Sequence, residues 1–340
     1  MWRSPGAPAR ERAGTVSPTG TLRIAVDLLG GDGAPAVVVD GALHACRADP
    51  NLELLLVGPP DIAGEVRAAL PAGQQHRVAV RPATRAAEMA DGPVRGGRAA
   101  TTIQAAVAAV AEGAADAVIS AGPSGAIVTA AALGLGRWPT MRRPALVALL
   151  PAVTGPVVLL DVGASVEARP ATLAQHARLG AAYAAARLGL RRPRVGLLSI
   201  GVEPGKGDRA RRSADTLFQT AALPAAGRYV GLVEGHDVTL GGRADVVVTD
   251  GFTGNVLLKG IEGAYAMAGG AEPGGIAPRA AMLLGVAGAV VVCHGAASGA
   301  DLAAGIALAA SLHRDQVTAT VAGMLDDSTR QLADQDEVSP

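Results

Sequence analysis

Short apolar runs alternate with longer amphipathic segments along most of this chain. The runs have the length and β-branched content of strands buried inside a sheet. Most of the segments between them, such as Ala99–Glu112 and Leu173–Arg187, have the length and alanine-rich periodicity of helices. This alternation predicts an α/β fold, a Rossmann-like three-layer α/β/α sandwich with a mostly parallel sheet. The predicted strands are Leu22–Val26, Leu52–Val57, Val78–Val80, Ala117–Ile119, Ala145–Leu150, Val157–Leu160, Val195–Ile200, Val246–Thr249 and Ala289–Val292.

No internal repeat or low-complexity linker divides the chain, so the pattern predicts a single domain over residues 21–330. Residues 1–20 are rich in Pro, Gly and Arg and lack the apolar core of a signal peptide, which predicts a disordered N-terminal tail. Residues 331–340 are assigned to a C-terminal tail. The longest later apolar run, Ala280–Cys293, contains glycines and is too short to span a bilayer, so we expect a cytoplasmic protein.

Composition argues against a nucleic-acid partner. The formal net charge is zero at pH 7, and aromatic residues make up 2% of the chain. A balanced charge does not attract a phosphate backbone, and few aromatic rings leave no platform for stacking bases. The two cysteines, Cys46 and Cys293, form neither a CxxC pair nor a zinc set. We interpret them as core residues, while a disulfide between them stays open.

Glycine and a polar residue follow six of the predicted strands. Ligands of open α/β sheets bind at such carboxyl ends, although Gly-rich turns also arise for purely steric reasons. None of the six has GxGxxG or GxxxxGK[ST] spacing, so neither a dinucleotide fingerprint nor a P-loop is predicted. The six segments are residues 27–32, 120–125, 161–165, 201–207, 250–255 and 294–295.

The most informative stretch is residues 245–263, DVVVTDGFTGNVLLKGIEG. It predicts a buried strand, a Gly-rich turn and a helix N-terminus, an arrangement that suits an anion. Of the 30 basic residues only Lys206 and Lys259 are lysines, and the only asparagines are Asn51 and Asn255. Lysine is a compact charge whose pKa can move, whereas arginine is a permanent planar cation. We therefore interpret the two lysines as residues that take part in the chemistry of a site. Chance survival on a solvated helix face is the alternative.

Taken in order, these segments resemble the bacterial PlsX family, the acyl-[acyl-carrier-protein]:phosphate acyltransferases of phospholipid synthesis. The resemblance covers nearly all of residues 22–312. It implies the fold shared by isocitrate/isopropylmalate dehydrogenases and phosphotransacetylases. The matching pieces are IAVDLLGGDGAP, EMADGPVRGGR, AADAVISAGPSGA, RRPALVALLP, VVLLDVGASVE, RVGLLSIGVEPGKG, YVGLVEG, DVVVTDGFTGNVLLKGIEG and LLGVAGAVVVCHGAA.

The family implies conversion of a fatty acyl thioester on acyl carrier protein, with inorganic phosphate, into acyl phosphate. This chemistry needs no metal or redox cofactor. The resemblance also implies a homodimer, and a membrane glycerol-3-phosphate acyltransferase that uses the acyl phosphate is a further candidate partner. The basic residues Arg209, Arg211 and Arg212 follow the Lys206 loop on a predicted helix. They could steer the acidic carrier protein, and a solvated basic helix face is the alternative.

The candidate catalytic residues are Lys206, Asp250, Asn255 and His294. Lys206 or Lys259 could supply the counter-charge to phosphate, Asn255 could donate to the developing oxyanion, and His294 could transfer a proton. The alternative to a catalytic role for His294 is an imidazole that caps a helix or packs in the core. The alternative for Asp27, Asp32 and Asp161 is a structural role in turns and helix caps. The candidate phosphate- and substrate-binding residues are Gly30, Gly31, Asp32, Ser124, Gly125, Gly163, Ser165, Gly251, Thr253, Gly254 and Lys259.

The sequence departs from the family pattern at several of these places. Pro123 and Ser124 stand where the family usually has Asn-Thr, and Ser165 stands where it usually has Asn. Residues 264–274 replace a long helical excursion used for dimer contact and membrane association. Two alternatives therefore stay open: a phosphate acetyltransferase-like enzyme that uses acyl-coenzyme A, and a degenerate paralogue that binds acyl groups or phosphate without catalysis.

We predict that the purified protein does not sediment with anionic liposomes. Membrane binding by an amphipathic helix needs a continuous apolar face with basic flanks. Residues 264–274 contain two adjacent glycines, one proline and no basic residue, and glycine and proline disfavour a helix. Salt-resistant co-sedimentation of the protein alone would show that another surface binds membranes.

Overall fold

The computed structural model describes residues 21–88, 100–267 and 280–337 of the chain. The predicted tail at residues 1–20, residues 268–274 of the shortened excursion and residues 338–340 lie outside the described residues. The last helix spans Val317–Glu337 and so continues through residues 331–337, which the sequence assigns to a C-terminal tail. No helix within the described ranges is long and apolar enough to cross a membrane.

Strands and helices alternate along the described chain. The strands are β1 (Leu22–Asp27), β2 (Leu52–Gly58), β3 (Val78–Pro82), β4 (Ala117–Ser120), β5 (Ala145–Leu150), β6 (Val157–Leu160), β7 (Arg194–Leu198), β8 (Arg228–Val233), β9 (Val246–Val248), β10 (Ala280–Leu284) and β11 (Ala289–Cys293). The α-helices are α1 (Ala36–Ala48), α2 (Pro60–Ala68), α3 (Thr102–Ala111), α4 (Ser124–Gly134), α5 (Pro170–Leu188), α6 (Arg209–Gln219), α7 (Gly235–Leu240), α8 (Gly251–Met267), α9 (Gly299–Arg314) and α10 (Val317–Glu337).

The strands form one sheet in the order β3-β2-β1-β4-β11-β10-β5-β6-β9-β7-β8. Strands β3, β2, β1, β4 and β11 are parallel to one another, as are β6, β9, β7 and β8. Between these two blocks, β10 is antiparallel to both neighbours and β5 is antiparallel to β6. The two parallel blocks therefore run in opposite directions, and their carboxyl ends lie at opposite ends of the sheet.

Helices cover both faces of the sheet and bury two separate apolar cores. One core contains residues of α1, α5 and α9, and the other contains residues of α3, α4 and α7. Because successive strand residues point to opposite faces, Ile24 packs in the first core and its neighbour Ala25 in the second. This arrangement confirms the predicted three-layer sandwich. Cys46 and Cys293 are free thiols buried in the first core.

All nine predicted strands are present, and two further strands were not predicted. Strand β8 lies at the edge of the sheet, and its first four residues are partly or fully exposed, so it has no continuous buried run. Strand β10 is the first half of the run Ala280–Cys293, of which the sequence predicts only the second half as a strand. Gly285 has φ +95°, a conformation that favours glycine, and it lets the chain turn back into the β10–β11 hairpin.

Helix α8 begins in close contact with the loop that follows β6. A Cβ atom added to Gly251 would lie 2.0 Å from the Ser165 carbonyl oxygen, and one added to Gly254 would lie 1.9 Å from the Asp161 carbonyl oxygen. Both distances are far shorter than any tolerable contact, and both neighbours are backbone atoms. The two glycines therefore allow the first turn of α8 to lie directly against this loop.

We predict opposite effects of the same substitution at two glycines of α8. In an open helical position, replacing glycine by alanine stabilises by about 0.5–1 kcal/mol, and Gly260 has nothing within 4 Å of the added Cβ. At Gly254 the clash with backbone outweighs this gain, and we expect Gly254→Ala to destabilise by about 1–3 kcal/mol. Urea unfolding of both variants checks this. A Gly254→Ala protein as stable as Gly260→Ala would contradict the packing.

Candidate functional site

The carboxylate of Asp161 shapes the loop after β6. Asp161 is fully buried, and its Oδ1 accepts hydrogen bonds from the Leu146, Gly163 and Ala164 amides at 3.0, 3.1 and 2.8 Å. Its Oδ2 accepts from the amide and hydroxyl of Ser165 at 2.9 and 2.7 Å. These bonds confirm the turn-organising interpretation of Asp161. The role of Gly163 and Ser165 in binding phosphate or substrate stays a prediction. Their amides and the Ser165 hydroxyl already donate to Asp161.

Asp250 caps the N-terminus of α8. Its Oδ1 accepts from the Thr253 amide at 2.9 Å and its Oδ2 from the Thr253 hydroxyl at 2.8 Å, while its carbonyl oxygen accepts from the Gly254 amide at 2.9 Å. Burial opposes ionisation of Asp250, but the bonds from Thr253 and Arg211 outweigh it and hold the pKa of this carboxyl below its ordinary value. The chain's own carboxylate thus occupies the helix terminus at which the sequence places a phosphate.

Arg211 holds this cap in place. Its side chain is 12% exposed and forms an ion pair with Asp250 at 2.6 Å. The guanidinium also donates to the Leu198 carbonyl at 2.9 Å and to the hydroxyls of Thr249 and Thr253, both at 3.1 Å. The charge of Arg211 is therefore already paired within the chain, with Asp208 and Asp250, and its expected role in docking a carrier protein stays a prediction. The neighbouring Arg209 and Arg212 are exposed.

Asn255 and Lys259 are four residues apart on α8 and lie side by side on one helix face. The Asn255 amide donates to the Val162 carbonyl at 3.1 Å, at the carboxyl end of β6. The Lys259 ammonium contacts Nε2 of His294, which follows β11. Helix α8 thus connects the carboxyl ends of the two oppositely directed blocks of the sheet. The site is therefore a row of three groups. The Asn255 amide and the Lys259 ammonium lie on α8, and the His294 imidazole contacts the ammonium from the loop after β11.

The imidazole of His294 is oriented by its own loop. The Ala296 amide donates to Nδ1 at 3.2 Å and so fixes the orientation of the ring. Nε2 faces Lys259 and also lies 3.7 Å from the Glu262 carboxylate, a residue that the sequence analysis does not include among its candidates. Burial raises the pKa of Glu262, although the charges of His294 and Lys259 oppose the rise. The side chain of His294 is 39% exposed, so it is not a core imidazole.

The loops after β1, β4 and β11 meet at the same end of the sheet as His294. The Asp32 amide donates to the Gly295 carbonyl at 2.8 Å. The buried carboxylate of Asp27 accepts from the Ser120 hydroxyl at 2.7 Å, and burial raises the pKa of Asp27. A Cβ atom on Gly30 would lie 2.7 Å from the same hydroxyl. Asp27 is therefore a buried organiser of this loop cluster, as the turn interpretation expects.

Two further candidates flank these loops. Gly31 has φ +107° and an added Cβ atom would lie 3.1 Å from Ala121 Cβ, so the loop after β1 lies against the loop after β4. Lys206 is exposed in the loop after β7. Strand β7 is parallel to its neighbour β9, which leads into α8, so Lys206 lies at the same end of the sheet as Asn255. Within the described chain, the Lys206 ammonium has neither a hydrogen bond nor an ion pair.

The N-terminus of α4 differs from that of α8 because it carries no side-chain cap. The residue before the helix is Pro123, which makes no side-chain capping bond. The amides of Ser124 and Gly125 have no acceptor among the described residues, although Ala126 donates to the Pro123 carbonyl at 2.9 Å. Since β4 lies between β1 and β11, the loop that leads to these two donors lies at the same end of the sheet as Asp32 and His294. This helix terminus is open to an anion.

Comparisons of the sequence with known proteins agree with this architecture. A family model described as "Fatty acid synthesis protein" matches residues 22–270. A phosphate acyltransferase from Desulfitobacterium hafniense (strain Y51) is 40% identical over 245 residues, 71% of this chain and 71% of that protein. One from Thermobifida fusca (strain YX) is 38% identical over 333 residues, 88% of this chain and 91% of that protein. These matches confirm the resemblance and the assignment to the acyltransferases.

Solved structures share the fold at low sequence identity. A phosphotransacetylase from Streptococcus pyogenes aligns with a TM-score of 0.57 and 17% identity, covering 90% of this chain and 94% of that one. The EutD phosphotransacetylase from Staphylococcus aureus aligns with a TM-score of 0.55 and 17% identity, covering 89% and 94%. These similarities confirm the phosphotransacetylase-like fold.

We predict that Arg211→Ala lowers the free energy of unfolding at pH 7 by about 1.5–3 kcal/mol, because it removes charged hydrogen bonds from a partly buried carboxylate. The folded-state pKa of Asp250 is depressed, so the stability it contributes is present above the unfolded pKa of about 3.9 and is lost as the pH falls through the folded pKa. The difference from wild type should therefore narrow below about pH 4. Urea unfolding across pH measures it.

Arg209→Ala is the matched control, because Arg209 is exposed on the same helix and its loss should change stability by less than about 0.5 kcal/mol. Equal effects of the two substitutions at pH 7 would contradict the role of Arg211 in holding the cap.

Proposed function

We propose that this chain, which belongs to the fatty acid synthesis protein family of phosphate acyltransferases, transfers a fatty acyl group from acyl carrier protein to inorganic phosphate. The observation that carries the proposal is the row of Asn255, Lys259 and His294 beside the open N-terminus of α4. It combines a donor for an oxyanion, a cation for phosphate and a group that can move a proton. The product is an acyl phosphate for phospholipid synthesis.

Phosphate binds, in this proposal, at the amides of Ser124 and Gly125. The α4 dipole favours an anion there, and neither amide has an acceptor within the described chain. Gly30, Gly31 and Asp32 form the adjacent wall. The loop after β4 lies between those after β1 and β11, so the ammonium of Lys259, at His294, can supply the counter-charge. The capped terminus of α8 is the less favourable position, because the Asp250 carboxylate would repel phosphate.

The proposed reaction uses Asn255 on α8 together with Lys206 and His294 from neighbouring loops. A phosphate oxygen attacks the thioester carbonyl carbon, and Asn255, with Lys206 from the neighbouring loop, stabilises the negative charge that develops on the carbonyl oxygen. The new carbon–oxygen bond forms as the carbon–sulfur bond breaks. The proton of hydrogen phosphate passes to the departing thiolate through Nε2 of His294, so that acyl phosphate and free thiol are the products. Holding both reactants together supplies much of the acceleration.

The wider setting of the enzyme belongs to the same proposal. Acyl carrier protein is the acyl donor, the enzyme is a cytoplasmic homodimer, and a membrane glycerol-3-phosphate acyltransferase takes up the acyl phosphate. Arg209 and Arg212 remain exposed beside the Lys206 loop, so they are the basic residues that can attract an acidic carrier.

The donor is tested by measuring acyl phosphate formation from long-chain acyl carrier protein and from acetyl-coenzyme A under equal conditions. Turnover of the acyl carrier protein substrate supports the proposal. Exclusive turnover of the coenzyme A thioester would identify a phosphate acetyltransferase-like enzyme. Absence of turnover with either donor would favour a non-catalytic binding protein and would overturn the proposal.

We predict that Lys206→Ala and Asn255→Ala each lower kcat/KM by about 10²-fold or more, since each removes one preorganised electrostatic contact to the transition state. Thermal unfolding midpoints should stay close to wild type for Lys206→Ala, because that side chain is exposed and its ammonium makes no hydrogen bond or ion pair with the described residues. The matched control is Asn51→Ala, in a turn before β2, which should leave kcat/KM within about twofold of wild type. Near-normal activity of both site variants would reject the assigned site.

A further inference from the structure

An apolar groove with a volume of about 430 Å³ lies between α3 and α4. This volume is within the range of about 300–1,000 Å³ that small-molecule sites occupy. The alanines of this region are not part of the site described above. Among the residues that line the groove are Thr101, Ala108, Ala111, Ala126, Ala130 and Leu133.

The groove exists because the facing helix surfaces carry small side chains. The two helices touch on their inner side, where a Cβ atom on Gly134 would lie 2.6 Å from Val107 Cγ1. Outside this contact the alanines leave space between the helices. The side chain of Leu133 lies at the rim and is 66% exposed, although it is large and apolar. An apolar ligand in the groove would remove this surface from water.

The position of the groove connects it with the proposed phosphate site. Ala126 lines the groove and directly follows the open amides of Ser124 and Gly125. At the same end, the polar groups of Thr101 and Gln104 are satisfied by each other in a capping box, with bonds of 2.9 and 3.3 Å. The groove therefore begins within one helical turn of the place where the acyl phosphate bond forms.

Away from the site the groove follows α3 to its end. The ten residues of α3 rise by about 15 Å in total, which sets the length available to a chain lying along them. At the far end Glu112 is paired with Arg81 through two hydrogen bonds of 2.7 and 3.0 Å. Glu112 is the only charged residue among the described lining, and its partner neutralises it. An elongated uncharged ligand therefore fits the groove better than an ionic one.

We propose that the groove between α3 and α4 binds the hydrocarbon chain of the acyl donor, with the thioester at the Ser124 end and the methyl end toward Glu112. This inference rests on the proposed function, which supplies the acyl donor. It assigns chain-length selection to Ala108 and Ala111, whose small side chains leave the middle and the far end of the groove open.

The test is Ala108→Phe, which places a ring across the middle of the groove. We expect kcat/KM for palmitoyl-acyl carrier protein to fall at least about tenfold, because each displaced methylene group is worth 10-fold or more in an apolar pocket. The value for butyryl-acyl carrier protein should stay within about threefold of wild type, since a short chain ends before the ring. Ala132→Phe is the matched control, since Ala132 is on α4 but outside the groove lining and should leave the chain-length profile unchanged.

Two further measurements separate this inference from the function on which it rests. Binding of cis-parinaric acid, a fluorescent fatty acid, should weaken at least tenfold in Ala108→Phe and not in Ala132→Phe. Acyl phosphate formation with an unchanged chain-length profile in Ala108→Phe would overturn the groove and leave the function intact. Groove-dependent binding of the fatty acid without any turnover would overturn the function and leave the groove intact.

A second variant covers the case in which Ala108→Phe does not fold. Ala111 is exposed at the far end of the groove, so Ala111→Phe should fold and should reduce turnover of palmitoyl donors more than that of decanoyl donors. Light scattering measures the oligomeric state of all variants and so tests whether a second copy of the chain occupies the groove. A change from dimer to monomer in Ala108→Phe or Ala111→Phe, but not in Ala132→Phe, would show that a second copy of the chain covers the groove and would overturn the proposal.

Discussion

Helix α8 can lie against the loop after β6 only because residues 251 and 254 have no side chains. The loop in turn has a fixed shape because a single buried carboxylate, that of Asp161, accepts hydrogen bonds from three of its amides and from one hydroxyl. These two constraints fix where α8 begins. Because a helix is rigid over its length, they also fix Asn255 and Lys259 further along. The position of the whole row of site residues thus depends on backbone packing at one helix terminus.

The reversal of strand direction in the middle of the sheet determines how the site is assembled. In a fully parallel sheet the Gly-rich loops would all lie along one edge. Here those after β6, β7 and β9 lie at one end and those after β1, β4 and β11 at the other. Helix α8 spans the distance between them, and its Lys259 contacts His294 from the opposite block. The site is therefore built along a helix that crosses the sheet, which differs from the usual position at one sheet edge.

The sequence predicts the buried strands well, because their continuous apolar runs reflect burial on both faces. It predicts a mostly parallel sheet but not the reversal of strand direction within it, which depends on the pairing of β10, a short strand hidden in a longer apolar run. At the site, Asp250 illustrates a similar limit. An aspartate between a strand and a Gly-rich turn has the same sequence signature whether it binds a ligand or caps a helix. The hydrogen bonds of Asp250 to Thr253 and its ion pair with Arg211, on a different helix, distinguish the two roles.

The pairing of β11 with β4 has a consequence for synthesis of the protein on the ribosome. Strand β4 is completely buried in the finished sheet, but its neighbour β11 is made only after residues 121–288 have been translated. Until then one edge of β4 has free amide and carbonyl groups in an apolar strand, the kind of edge that pairs readily with other chains. The first block of the sheet therefore depends on the last quarter of the nascent chain for its closure, and chaperones have their longest opportunity to act during that interval.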